Sequence, residues 1–186
     1  MKSFLPAAVL AVLLCACPGI ASGAEEGQFT GEKAVIKETI EVAIGWALEK
    51  DTELLFNSVA RDDDFFYFSP DDASTISGFE MFKEFTYDTF MGDHFKALWY
   101  ETKEMAINIS RSGDVAWYHC LLDDVGLWNG EEAGWHDVRW TGVLEKREGK
   151  WVIVQMHFSF SIEQMQGEDA EDEQVDEGDA FDESGK

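Results

Sequence analysis

The sequence predicts an α+β domain in which three N-terminal helices precede an antiparallel meander, and three observations carry this. Between residues 31 and 91 apolar side chains recur every three to four positions, the spacing of a helix face. From His94 onward the chain becomes four long segments rich in aromatic and β-branched residues, separated by turn signals. With 186 residues, 45% of them hydrophobic, there is material for one well-buried core and too little for two independent domains.

The first helix is read over Gly31 to Lys50. Val35, Ile36, Ile40, Ala43, Ile44, Ala47 and Leu48 share one face, Trp46 extends the stripe, and Thr30 stands where an N-cap would. Asp51 caps a second, short helix through Asn57, and the two helices form a tight pair. Phe65-Phe66-Tyr67-Phe68 is strand-prone, and Ser69-Pro70-Asp71-Asp72 after it has turn composition, so a hairpin-like excursion is expected. Ser77-Gly78 introduces a third helix over Phe79 to Met91, with Phe79, Phe82, Phe85 and Phe90 at near-helical spacing.

Four strands follow at Lys96 to Ser110, Asp114 to Leu127, Trp135 to Arg147 and Lys150 to Ser161. Arg111-Ser112-Gly113-Asp114, Asn129-Gly130 and Glu148-Gly149 supply the turns. Such strands exceed the usual five or six residues, which predicts a strongly twisted and curved sheet with the helices on one face. Residues 163–186 lose their aromatics apart from Phe181 and become Glu/Asp/Gly-rich, the composition of a disordered acidic tail.

Acidic residues number 38 against 14 basic, a formal net charge of -24. Self-repulsion of this size excludes binding to a nucleic-acid backbone or to an anionic membrane surface. Residues 1–24 read as a secretory signal: Met1-Lys2 is a positive start, and Phe4 to Cys17 is apolar but too short to span a bilayer. Two processing sites fit. Ser22-Gly23-Ala24 offers small residues for a soluble-secretion peptidase, with residues 25–31 then a linker, whereas Leu14-Cys15-Ala16-Cys17 is similar to a lipobox that would place a lipid anchor on Cys17. An extracytoplasmic protein, periplasmic or secreted, is expected either way. Only Cys120 then remains as a free thiol, without a partner for an intramolecular disulfide.

Three stretches carry a resemblance: Gly113-Asp114-Val115-Ala116-Trp117; Arg139-Trp140-Thr141-Gly142-Val143-Leu144-Glu145-Lys146; and Gly149-Lys150-Trp151-Val152-Ile153-Val154-Gln155-Met156-His157-Phe158-Ser159. Together with the Gly78 entry to the third helix, they resemble the C-terminal half of a SnoaL-like domain of the nuclear transport factor 2-like superfamily, over residues 32–162. The resemblance implies a cone-shaped fold, three N-terminal helices on a strongly curved antiparallel sheet that wraps a pocket, and a homodimer formed through the sheet. Its chemistry spans ketosteroid isomerisation, cyclisation, dehydration and plain ligand binding, so fold does not settle activity.

Alternation places Trp151, Ile153, Gln155, His157 and Ser159 on one face of the last strand, and Val152, Val154, Met156, Phe158 and Phe160 on the other. Asp137, Arg139, Thr141 and Val143 fall together on the strand before. With the register the resemblance implies, Arg139, Thr141, His157 and Ser159 form a polar cluster among aromatics, a pocket signature. The apolar stripe opposite then needs a helix or a second subunit to cover it. His157 is the candidate general acid or base, or else a structural histidine. Arg139 could clamp an anionic group or pair with Asp137, Asp123 or Asp124. One of Asp123 and Asp124 must point inward, and Asp123 is taken as the candidate proton carrier. Trp46, Tyr67, Trp99 and Trp117 could line a site for a flat apolar ligand, or be core.

The four histidines lack metal-ligand spacing and no cofactor motif is present, so neither metal nor cofactor is expected. These residues describe an exported domain that binds a small apolar or aromatic molecule bearing a polar or anionic group. The alternatives are an isomerase, cyclase or dehydratase using His157 or an inward aspartate, and a non-catalytic dimer scaffold.

Overall fold

The computed structural model describes residues 29–71 and 74–165. The signal segment, most of the 25–31 linker and nearly all of the acidic tail lie outside the described residues.

Helix α1 runs Glu32–Gly45 and buries Ile36, Ile40 and Ala43, the three-to-four spacing of its apolar face. Its N-cap is Gly31 rather than Thr30, with no side-chain hydrogen bond. A 3-10 turn, Trp46–Leu48, reverses the chain and drives Trp46 into the interior. Helix α2, Thr52–Ser58, is capped by Asp51, whose Oδ1 accepts from the Leu54 N–H at 3.0 Å. Helix α3 spans Phe79–Phe90. Gly78 enters it at φ 86, a left-handed conformation, while its N–H donates to the Phe65 carbonyl at 2.8 Å.

Six strands form one sheet: β1 Phe66–Phe68, β2 Ile76–Ser77, β3 Phe95–Ile109, β4 Val115–Trp128, β5 Glu131–Arg147 and β6 Lys150–Ser159. Their order is β2-β1-β6-β5-β4-β3. The four meander strands end within two residues of the expected segments, except that β5 begins at Glu131, four residues before the expected Trp135, and the fold class requires correction. The sheet is mixed, with β1 parallel to β6, and it is open, since its edges β2 and β3 do not pair. It is not a strongly curved, purely antiparallel cone under three helices; among the described residues the 3-10 turn brings the helical elements that precede β3 to four. The aromatic run at 65–68 explains the mixture. In place of an isolated hairpin, Phe66, Tyr67 and Phe68 fill the free edge of β6 opposite Gln155, Met156 and His157, and β2 then pairs with β1. That pairing satisfies backbone groups that β6 would otherwise expose.

The long strands are interrupted rather than uniformly coiled. Register breaks fall between Ala97 and Trp99, Lys103 and Ala106, Leu122 and Asp124, and Val143 and Leu144, where bulges bend the sheet locally. One of them decides which side chains point inward. Leu144 pairs with Ile153 and Val143 with Gln155, leaving Val154 as the extra residue. Before the bulge Trp151 and Ile153 face the helices; after it Met156 and Phe158 do, and all four are buried.

The helices cover the apolar face of the sheet, where Trp140, Tyr118, Leu122, Leu144, Ile153 and Phe158 are at most 2% exposed. The bulge splits the expected apolar stripe: Met156 and Phe158 lie under the helix layer, whereas Val152 falls on the other face. Trp140 stacks on Phe158 with centroids 5.4 Å apart and meets Tyr118 edge to face at 5.2 Å. Gly142 makes room for this packing: a Cβ there would lie 2.6 Å from the Tyr118 ring.

Candidate functional site

Between the helices and the inner face of β4, β5 and β6 the core does not close. A cavity of about 340 Å3 remains, bounded by Ala43, Ile44, Trp46 and Ala47 from α1 and its 3-10 turn, by Phe82, Phe85, Thr86 and Phe90 from α3, and by Tyr67 from β1. Phe95, Asp124, Gly126, Trp128, Ala133, Gly134, Trp135, Met156 and Phe158 complete the sheet side, and Leu55 comes from α2. Trp128, Ala133 and Gly134 are the exposed members of this wall and mark the mouth, next to the β4–β5 turn. Small residues hold the space open. At Gly126 a Cβ would meet the Lys96 carbonyl at 2.9 Å and the Phe95 ring at 3.2 Å.

The rings support one another. Trp46 and Phe90 meet edge to face at 6.0 Å, as do Phe85 and Phe90 at 5.6 Å, and Tyr67 and Trp135 each lie 5.5 Å from Phe158. Two titratable groups break this apolar wall. Burial raises the Asp124 carboxyl to about 6, and no described residue offers it a hydrogen bond or an ion pair. Burial likewise raises the Tyr67 phenol to about 12, against a hydrogen bond from Ser69, and the Asp124 charge adds to the rise. The Thr86 hydroxyl is spent on the Phe82 carbonyl, to which it donates at 2.8 Å.

Trp46 and Tyr67, expected at a site, are both on this wall. Asp123 is not. It lies on the opposite face, where its Oδ1 accepts from Lys103 Nζ and from the Asp137 backbone N–H, each at 2.8 Å. Burial pushes this carboxyl up, but the Lys103 and Asp137 hydrogen bonds outweigh it and hold the group below the ordinary range. Its place follows from a bulge, since Asp137 adopts φ 52 and turns its N–H toward Asp123.

Arg139, Thr141, His157 and Ser159 are gathered as expected, because Arg139 pairs with Ser159 and Thr141 with His157. Their face, however, points away from the helices and the cavity. Arg139 is exposed, and His157 stacks on Phe68 with centroids 5.1 Å apart. Trp99 and Trp117 are on the same outer face, 43% and 47% exposed. Alternation left Asp123 and Asp124 as equal candidates, and burial along β4 decides for Asp124. Ala116, Tyr118, Cys120 and Leu122 are the uniformly buried parity of β4, and Asp124, Gly126 and Trp128 continue it.

The comparisons agree with this architecture. A nuclear transport factor 2-like superfamily protein from Salmonella enterica serovar Typhimurium superposes with a TM-score of 0.59 at 20% identity, over 69% of this chain and 92% of that one. One from Cytophaga hutchinsonii gives 0.57 at 14% identity over 71% of this chain and 100% of that one. A third, from Pseudomonas putida, gives 0.54 at 18% identity over 70% and 89%. No curated protein gives a significant sequence match. Identities this low establish the fold alone, whereas the family model for the SnoaL-like domain matches residues 36–163, the helices and the whole meander. The chain therefore belongs to the SnoaL-like domain family, and it shares its fold with the nuclear transport factor 2-like proteins.

Proposed function

We propose that this protein binds a small, largely apolar or aromatic molecule in the cavity between its helices and sheet, with Asp124 as the polar anchor. The carrying observation is the cavity itself: about 340 Å3, walled by rings and interrupted by one unpartnered carboxylate. Apolar surface with a few convergent polar groups is the composition of a ligand site. An open space of this size counts against a scaffold with a filled pocket. Arg139, Thr141, His157 and Ser159 lie too far round the sheet to touch such a ligand, so the polar contact passes to Asp124.

Titration with N-phenyl-1-naphthylamine, whose emission rises in apolar surroundings, tests the reading. Saturable one-to-one binding is expected, and Ala133→Phe, which fills the mouth from an exposed strand position, should weaken it about tenfold or more with the fold retained by circular dichroism. Binding unchanged by Ala133→Phe would refute the site.

A second reading, proton transfer next to a carbonyl, is favoured by one observation. A carboxyl near 6 beside a neutral phenol can take a proton at neutral pH while Tyr67 donates a hydrogen bond to the oxygen that gains charge. For an enzyme, Asp124→Asn would abolish turnover while leaving ligand bound; for a binding protein there is no turnover to abolish.

The export reading of residues 1–24 stands as part of the proposal. N-terminal analysis of the mature protein should find Glu25 first, or else a lipidated Cys17. We also propose a homodimer, through the outer face that carries Trp99, Trp117 and Phe68 on His157.

A further inference from the structure

The electrostatics of the cavity are one-sided. Among the described residues no lysine, arginine or histidine lines it, and Arg139, which could have balanced an anionic ligand, is exposed on the opposite face. The wall instead combines the Asp124 carboxylate with aromatic rings, among them Trp46, Tyr67, Phe85, Trp128, Trp135 and Phe158. Ring faces carry negative potential, which attracts a cation at close range and repels an anion. Trp135 is the direct register partner of Asp124 on β5, so an indole stands beside the carboxylate.

A partly buried carboxylate without a counter-charge is costly, and a ligand that supplies one recovers that cost. The field of the whole chain, with a formal net charge of -24, works in the same direction by concentrating cations around the protein.

We infer that the cavity takes an organic cation, a protonated or quaternary amine carried on an apolar or aromatic body, with the ammonium beside Asp124 and Trp135 and the body among the remaining rings. The inference rests on the ligand-binding reading above and narrows it: the polar group of the ligand is positive. Anions are excluded by the same wall that admits the cation. Protonation of Asp124 should weaken binding, because the neutral acid keeps the rings' attraction but loses the carboxylate's. The titratable groups that face Asp124 are the Tyr67 phenol on the cavity wall, held neutral at about 12, and Tyr100, its register partner on β3, also raised by burial. At the rim, the His94 ring meets the Trp128 ring edge to face with centroids 4.9 Å apart.

The test uses a matched pair of probes of nearly identical shape, phenyltrimethylammonium and tert-butylbenzene, with binding followed by tryptophan fluorescence and calorimetry. The permanent charge of the first probe leaves only the protein to titrate. At pH 7.5 the cation should bind about tenfold or more tighter than the hydrocarbon, and the preference should shrink on going to pH 5. Asp124→Asn removes the charge at nearly constant shape and should bring the two probes within about twofold. Trp135→Leu, a second variant, should weaken the cation more than the hydrocarbon. Equal affinities in the unaltered protein would overturn the cation inference and leave the binding site standing. A preference that survives Asp124→Asn would overturn the role of the carboxylate, and failure of both probes to bind would overturn the cavity as a ligand site altogether.

Discussion

Asp123 and Asp124 are adjacent, chemically identical and opposite in physical situation. Asp123 accepts hydrogen bonds from Lys103 and the Asp137 N–H, which favour its charged form, whereas Asp124 faces rings that disfavour it. Their asparagine variants should therefore shift stability in opposite directions at pH 7.5. A carboxyl that rises from 3.8 unfolded to about 6 folded binds more protons in the folded state between those values, so stability falls as pH rises through that window. Above it the penalty is about 3 kcal/mol, and Asp124→Asn should recover a large part of it. Asp123 carries the reverse sign. Its folded carboxyl is lowered, so its contribution is present above pH 3.8 and is lost as pH falls through the folded value. Asp123→Asn should cost about 1–3 kcal/mol at pH 7.5 by weakening the Lys103 pair and the bulge contact. Urea unfolding at pH 7.5 and pH 4 checks both: the Asp124→Asn gain should nearly vanish at pH 4, and a gain that persists there would contradict the burial argument.

At the scale of elements, the β4–β5 hairpin decides the shape of the mouth. Its turn is Asn129-Gly130, with φ 53 and 87, both left-handed, and the Asn129 N–H donates to the His94 carbonyl at 2.7 Å. Nothing lies within 4 Å of a Cβ placed on Gly130, so Gly130→Ala isolates backbone strain from steric clash. A loss of about 1–2 kcal/mol is expected by thermal melting, together with faster amide exchange in Trp128 and Glu131. The hairpin was legible in the sequence because Asn-Gly has one dominant use between strands. The bulges were not. Val154 is an unremarkable residue in an alternating strand, and nothing local says that it is extra; its insertion puts Trp151 and Ile153 on the same side as Met156 and Phe158. The aromatic run at 65–68 was recognised as strand, but its partner was not, because a three-residue strand contains too little information to choose between its own hairpin and the open edge of β6.

For the whole molecule, the sheet has one face covered by helices and one without cover among the described residues. The uncovered face carries Trp99, Trp117 and Phe68, an aromatic surface that a second copy would bury. Sedimentation velocity should give twice the monomer mass at 10–100 µM, about the range used for such measurements, and Trp117→Glu should shift it to monomer. Because each copy is strongly acidic, the dimer should also weaken as salt is removed. A monomer throughout that range would refute the interface. The cavity belongs to this scale too: its wall draws on four helical elements and five strands, with no two polar residues adjacent in sequence.

Helix existence, the existence of the four long strands and membership of a family were determined by the sequence alone. Each depends on local periodicity, turn chemistry or a contiguous motif, and these survive in one dimension. Which face of the sheet looks inward was decided only by the tertiary structure. Alternation yields two equivalent faces, and the choice between them is made by where the helices lie and where bulges interrupt the count. The same choice moved the site from Arg139, Thr141, His157 and Ser159 to Asp124 among aromatic rings, since a carboxylate becomes a functional group through the burial that surrounds it.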